Sequence, residues 1–417
     1  MNKPVVILMC AGLIAILALR FWSTYHKTSN YTNGQTVSFV TTITTTARVS
    51  GNFQKITVHP DPSTAIFITL PRDIELDYRK TVRISGTSLR SVLSNKKTIL
   101  TMYLPKVEAV KRSNNLSDRL IQIPLIASRF VRTQVGLVFA KALPSDLASL
   151  LLGIVLGVKG NMSSGFSQAL SRAGVTHVIA ASGMNVVIVG GFLVSFFTIF
   201  FKRQPSLVFA IAGIVFYAFL AGMEPSIIRA SIMGILVLAS QIIGRQYLAS
   251  YGLILAVYSM LFVQPVLIAD IGFQLSVTAT AGLLYIKPLL DRFMPKIPYL
   301  GEDLTTTLSA QVATLPILLT TFGSYSLGSI LANLLVLWTV PILMAIGAAA
   351  AALTFFFQPL AVLVTYLSLP FLMYFERVVY VLSGLPALHI DSLPFISIVG
   401  YYLFVIALVV GFQKKPE

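Results

Sequence analysis

His177, Ser182 and Asn185 are set in an apolar stretch that starts after Gly174 and runs to Phe201. Hydrocarbon offers such side chains no partner, so polar groups at that depth are costly unless they face other helices or water. Ser182 and Asn185 are three apart, as are Ala180 and Gly183, which puts each pair on one helical face. Other apolar stretches begin in the same way. Glu224-Pro-Ser-Ile-Ile-Arg229 opens the stretch 226–244, where Ser226 is the expected N-cap. Asp270-Ile-Gly-Phe-Gln-Leu-Ser276 opens 271–288 and carries Gln274 and Ser276, with Thr278 and Thr280 beyond. Gln311 and Thr314 precede Pro316, and Asn333 lies about one turn into 328–355. These groups offer hydrogen bonds and, at Arg229, a fixed positive charge. Such a set suits an aqueous path or a solute site.

Each residue also has a plain structural use. Ser182, Ser276 and Thr280 can bond back to their own helices. Arg229 can snorkel to the surface or pair with Glu224, and His177 can be an interfacial histidine with an ordinary partner. Bond-breaking chemistry is poorly served. His177 and Ser182 are five apart, an awkward helical offset for a nucleophile and its base, and no orienting carboxylate is near in sequence. The four histidines (His26, His59, His177, His389) match no metal-ligand spacing. The single Cys10 excludes an intramolecular disulfide and a cysteine-based zinc site. A chain that is not an enzyme, with no metal and no cofactor, is expected.

The elements that must position these groups are set by composition. The 417 residues are 56% hydrophobic and 11% charged, with a mean hydropathy of +0.82. Soluble domains hold roughly 45–50% apolar residues, so a polytopic membrane protein is expected. The net charge of +16 is concentrated: residues 23–145 hold 17 Lys/Arg against 6 Asp/Glu. A polyanion or an anionic membrane surface is the implied partner.

Residues 1–24 are expected to form a spanning helix that acts as an uncleaved signal anchor. Residues 30–110 change character. Alternation in Thr36–Val40, Ala65–Thr69 and Thr81–Ser85, with turns at 50–52, 59–62 and 94–96, predicts about five short strands and a small β-barrel. Gly86 is the expected bulge. Its basic residues Arg79, Lys80, Arg83, Arg90, Lys96 and Lys97 are candidates for binding a polyanion, and Phe39, Phe53, Phe67, Tyr78 and Tyr103 for stacking on bases. Residues 113–160 are expected to hold amphipathic or interfacial helices, one of them starting at an N-cap Ser145 or Asp146. The remainder, 161–417, contains nine apolar stretches: 176–201, 205–222, 226–244, 247–265, 271–288, 305–323, 328–355, 360–384 and 395–412. With the first helix this makes about ten spans, plus interfacial or re-entrant helices.

Alternate connections carry Lys202-Arg203, Arg245, Lys287 with Arg292 and Lys296, and Lys414-Lys415; the others carry Glu224, Asp270 and Asp391. The positive-inside rule then places both termini in the cytoplasm and the β-domain outside. The polar helix openings fall in the outer half of the bilayer, where four helices would gather hydrogen-bonding groups.

These blocks resemble the ComEC competence-channel family. Leu143-Pro144, the Gly174/His177/Ala180/Ser182/Gly183 block, Pro225-Ser226 with Arg229-Ala230, Phe273–Ser276 with Ala279-Thr280, and Gln311/Ala313/Thr314/Pro316 keep the family's order across residues 140–340. Many members have His at the position of Asn185, so no titrating role is expected there. The resemblance implies a channel that carries single-stranded DNA across the bacterial cytoplasmic membrane during transformation, with an outer barrel of OB type. It also implies partners: DNA receptor or uptake proteins outside, and a cytoplasmic motor or single-strand-binding protein. Many members continue into a metallo-β-lactamase-like nuclease domain. No matching His/Asp cluster is present here, so a separate nuclease is expected to degrade the other strand. The rival from composition is a secondary transporter of a small anionic solute, although no internal repeat and no coupling carboxylate at mid-depth favour it.

Overall fold

The computed structural model describes residues 3–25, 34, 36–42, 48–50, 53–61, 64–71, 81–87, 89–92, 98–109, 116–158, 162–179, 182–293, 301–326, 328–389 and 394–413. The chain divides into two compact units, residues 1–122 with 258–268, and residues 123–257 with 269–417.

The first unit starts with helix α1 (Lys3–Tyr25) and continues as strands β1 (Thr36–Thr42), β2 (Arg48–Ser50), β3 (Phe53–Asp61), β4 (Thr64–Pro71), β5 (Thr81–Thr87), β6 (Leu89–Val92), β7 (Thr98–Tyr103) and β8 (Lys106–Ala109). The strands form two sheets, ordered β1-β5-β8 and β2-β3-β4-β7-β6. All pairings are antiparallel except β4 with β7. Alternation gives each sheet one apolar face: Ile56, Val58, Ile66, Ile68, Leu70 and Met102 from one, and Val82 and Ile84 from the other, make a common core.

The expected closed barrel of about five strands is therefore corrected to an open pair of sheets built from eight. The reason lies in the pairing. β5 takes β1 and β8 as neighbours while β4 takes β7, so among the described residues no ladder joins the sheets. Gly86 is not a bulge, for it pairs in regular register with Val37. A side chain there would meet Pro105, whose Cβ lies 2.9 Å from the added Cβ position, so close approach explains the glycine. The register shift falls instead between Val58 and Asp61, where Pro60 cannot donate to the ladder and the expected turn becomes an irregular end to β3.

The helices follow as α2 (Leu116–Ala142), α3 (Ser145–Leu156), α4 (Ser164–Arg172), α5 (Thr176–Ile179), α6 (Gly183–Phe200), α7 (Arg203–Leu220), α8 (Pro225–Ile243) and α9 (Ala249–Val263). After a 3-10 turn come α10 (Ile271–Tyr285), α11 (Lys287–Phe293) and α12 (Gly301–Phe322), strand β9 (Ser324–Ser326), α13 (Ser329–Val336), α14 (Thr339–Leu353), α15 (Gln358–Tyr366), α16 (Leu369–Leu382), strand β10 (Ala387–His389) and α17 (Phe395–Gln413). Two larger apolar clusters organise the second unit. One is built mainly from α2, α3, α4, α5, α13, α14 and α16, and the other from α6, α7 and α8.

Among the described helices four segments are long and apolar enough to cross a bilayer: Ile123–Ala142, Thr176–Phe200 (α5 and α6 taken together across residues 180–181, which lie outside the described residues), Arg203–Leu220 and Pro225–Ile243. The number rises to six if the bent pairs α13–α14 (47°) and α15–α16 (43°) each make one span. Among the described residues the expected count of about ten is not reached; α9 and α10, for instance, have 15 residues each. At 1.5 Å per residue such helices fall short of a ~30 Å hydrocarbon layer. The segment read as interfacial, α2, holds one of the four qualifying windows.

Candidate functional site

The apolar stretch after Gly174 is broken. α5 ends at Ile179 and α6 starts at Gly183, with Ser182 extended between them at φ −102° and ψ 168°. Ala180 and Ala181 lie outside the described residues. The Ser182 hydroxyl donates to Asn185 Oδ1 at 3.1 Å, and Asn185 Nδ2 donates to the Ile154 carbonyl at 2.9 Å. Ile154 stands near the C-terminus of α3, where carbonyls lose their intrahelical donors. Tyr217 of α7 serves the next carbonyl, Val155, at 3.2 Å. Asn185 is 1% exposed and thus ties the start of α6 to the end of α3.

Arg229 of α8 completes this cluster. It is 7% exposed, its Nε has no hydrogen-bond partner among the described residues, and its Nη2 lies 3.2 Å from where a Cβ on Gly183 would be. The expected alternative, a brace between Arg229 and Glu224, is absent among the described ion pairs. Glu224, half-buried, occupies the N-cap position of α8 because Pro225 takes the first helical position. Ser226, expected as the cap, is therefore already inside the first turn.

A second cluster joins α12 and α13. Gln311 Nε2 donates to Ser329 Oγ at 3.3 Å, and one turn on, the buried Asn333 has no partner for its Oδ1 among the described residues. Gly174 abuts Ser329: at φ +73° it takes a left-handed conformation, and an added Cβ would sit 2.5 Å from Ser329 Cβ. The turn leading into α5 is thereby pressed on α13. His177, on α5, is exposed.

The α10 residues behave more locally. Asp270 caps its helix, accepting from Phe273 N at 2.7 Å. The Thr278 and Thr280 hydroxyls bond back to the Gln274 and Ser276 carbonyls at 2.7 and 2.9 Å. Gln274 and Ser276 are half-buried. The cap expected at Ser145 or Asp146 is also reassigned. Pro144 occupies that position, and Asp146 accepts instead from the backbone and hydroxyl of Ser163, both at 2.7 Å.

The sequence reading gives Arg132 no role, yet the structure does. The Arg132 Nε and Nη2 donate to the Leu220 and Phe219 carbonyls at 2.7 and 2.9 Å, closing the C-terminus of α7. The turn after it is strained, with Met223 at φ 55°. That turn delivers Glu224 and hence α8. The available signal was an arginine inside a segment long and apolar enough to span a bilayer, where it must find acceptors.

In the first unit, Arg79, Lys80, Lys96, Lys97 and Tyr78 lie outside the described residues. Arg83 is exposed on β5, and the register sets Arg90 opposite Leu100. Phe39 packs against the core. Phe53, Phe67 and Tyr103 do not: they are exposed, and the rings of Phe53 and Tyr103 are 6.0 Å apart. Strand alternation puts the exposed Lys55 on their face, with Arg48 opposite it in register. Lys55 was missed, although Phe53-Gln-Lys-Ile56 carries the alternation that exposes it.

A cavity of about 460 Å³ opens elsewhere, among Pro144, Asp146, Tyr366, Met373 and Glu376, and contains none of the expected site residues. Among the described residues no group of three His, Cys, Asp or Glu could hold a metal ion.

The polar clusters fall within the region that comparison with known proteins identifies. Residues 154–415 match the competence protein family. ComE operon protein 3 of Bacillus subtilis (strain 168) is 25% identical over 194 residues, which cover 46% of this chain and 25% of that protein. No solved structure matches. With the family match extending over more than half of its length, and with long apolar helices throughout that region, this multi-pass chain belongs to the competence protein family.

Proposed function

We propose that the chain is a channel for uptake of single-stranded DNA across the bacterial cytoplasmic membrane. The observation that carries the reading is the polar cluster of half-buried Ser182 with buried Asn185 and Arg229 at a broken helix, inside the region that matches a competence family. A polyanion needs polar contacts and weak positive charge along its route, and sites loose enough to leave. Non-helical backbone at membrane depth is tolerated where it is buried in protein or lines a cavity. His177, Gln274, Ser276, Thr280, Gln311 and Asn333 belong to this proposed route, and Glu224, Ser226 and Asp270 stand at its outer openings. Both termini are placed in the cytoplasm and the sheet unit outside, on the charge pattern of the connections. There its exposed Phe53, Phe67, Tyr103 and Lys55 offer an incoming strand stacking faces and charge. The nuclease, the receptor and the cytoplasmic motor would be other proteins.

The test is uptake of end-labelled duplex DNA by cells with and without this chain, with membrane abundance measured beside it. Loss of label entry without the chain is expected, along with reduced entry at normal abundance for Gln311→Leu. Unchanged uptake without the chain sinks the reading. The rival, a secondary transporter of a small anion, draws on the same buried arginine and broken helix. It predicts flux of a small anion into vesicles that single-stranded DNA does not block.

A further inference from the structure

Arg229 presents a physical difficulty. A buried cation needs a partner, because its removal from water is costly. Yet Arg229 is 93% buried by its 7% exposure, and its Nε is unpartnered among the described residues. Its Nη2 lies beside Gly183, the first helical residue of an 18-residue helix. That end of α6 is the positive end of the helix dipole, so the two features repel each other. The usual remedy, a capping side chain, is missing: the Ser182 hydroxyl makes no cap bond and donates to Asn185 instead. The N–H groups of Gly183 and Met184 have no intrahelical acceptor. Two converging sources of positive potential, with Arg229 Nε unpartnered among the described residues, are complementary to an anion.

We propose that Arg229 and the first turn of α6 form a binding site for one compact oxyanion of the phosphate class. The guanidinium supplies a planar pair of donors and the helix end supplies backbone N–H groups, the combination that recognises phosphate. Gly183 keeps the cradle open, since a Cβ there would sit 3.2 Å from Nη2 and 3.4 Å from Ala230 Cβ. As the point where the proposed channel holds a strand's phosphodiester, the site rests on the preceding reading. As a site for an oxyanion it is separately testable.

The experiment uses the full chain in phosphatidylcholine nanodiscs, with inorganic phosphate as the probe. The melting temperature of the wild type is expected to rise with the logarithm of phosphate concentration above the dissociation constant. Arg229→Gln should abolish that rise, and without phosphate it should melt no lower than wild type, because it removes an uncompensated charge. Arg229→Lys, which keeps charge but loses the fork, should bind about fivefold or more weakly. If Arg229→Gln does not accumulate, Gly183→Ala serves instead, and it too should weaken phosphate binding by about fivefold through displacement of the guanidinium. No phosphate-dependent rise in wild type, an equal rise in Arg229→Gln, or unaltered affinity in Gly183→Ala overturns the site.

Two competitors identify the source. Oligothymidine that displaces phosphate, while its uncharged methylphosphonate analogue does not, supports a strand phosphodiester. Loss of the phosphate effect in phosphatidylglycerol nanodiscs supports the site with a lipid headgroup as its occupant. Phosphate binding that depends on Arg229, in cells whose DNA uptake does not need this chain, upholds the site and removes the channel. Normal uptake by Arg229→Gln at normal abundance, with no phosphate binding in wild type, does the reverse.

Discussion

The Tyr401 hydroxyl donates to the Val312 carbonyl at 2.8 Å, and Val312 is the residue four positions before Pro316. Proline has no N–H to close that helical bond, so the carbonyl would otherwise be orphaned inside a membrane protein. The neighbouring Tyr402 serves the Ala313 carbonyl at 3.1 Å. α17 thus repairs from outside what Pro316 breaks within α12, and α12 remains one helix. Tyr401→Phe is expected to lower stability by about 1–3 kcal/mol, the range for one unpaired buried acceptor. Thermal melting in detergent checks it, and Pro316→Ala in the same background should restore most of the loss. Equal losses from Tyr401→Phe with and without Pro316 would show that the hydroxyl has some other role.

Single-strand binding by the sheet unit should depend on Phe53, Tyr103 and Lys55. In the full chain, Phe53→Ala and Tyr103→Ala are expected to cost about 1–3 kcal/mol each for a short oligonucleotide, the size of one base–aromatic stack. Lys55→Gln should reduce the salt slope of binding by about one charge while leaving the stacking contribution in place. Fluorescence anisotropy at several salt concentrations separates the two. Unchanged affinity in all three variants removes this face from the binding surface.

Asp291 gives a pH signature. The Thr305 hydroxyl first, and then Lys287 at 3.1 Å, hold its carboxyl below the usual carboxylate range. The folded protein therefore binds that proton less readily than the unfolded chain. The resulting stabilisation is present above the unfolded value of about 4 and lost as pH falls through the lower folded value. Because Asp291 is exposed, the contribution is small. Melting temperatures from pH 7 to 3 should show wild type slightly above Asp291→Asn over pH 5–7 and a shallower acid decline in the variant, so that the two curves converge in acid. Parallel curves over the whole range contradict it.

The long apolar stretches were legible because bilayer thickness imposes a minimum length, and the helices from α6 onward fall on them. The breaks were less so. Residues 328–355 and 360–384 read as single spans, yet Pro341 and Pro370 sit just inside α14 and α16. Each ring clashes with the carbonyl four residues back, at Leu337 and Tyr366, where the preceding half-helix ends. Pro316 shows why sequence alone could not decide: the same residue type leaves α12 intact because Tyr401 is there to help. The break at Ser182 had no proline to announce it. Polar residues of the candidate site were visible as misfits in an apolar run, but their partners were not, since Ile154, Ser329 and Leu220 offer ordinary backbone and hydroxyl groups found only through tertiary contact. The barrel expectation failed for a related reason. Alternation identifies a strand and its faces, while the choice of neighbour depends on connections far along the chain.

The parallel pairing of β4 with β7 has a consequence for synthesis. Ile66 meets Leu100 and Thr69 meets Tyr103, with β5 and β6 between them in the chain. No hairpin can make that ladder, and the closure entropy of the intervening loop must be met before its contacts form. The β3–β4 hairpin can form as soon as it leaves the ribosome, but the central strand pair must wait until Tyr103 has emerged. During that interval β4 presents an unpaired edge, bearing Ile66, Ile68 and Leu70, to whatever surrounds the nascent chain. Such non-local pairing is slow, so the sheet unit is the part of this protein for which a chaperone at the exit site would matter most.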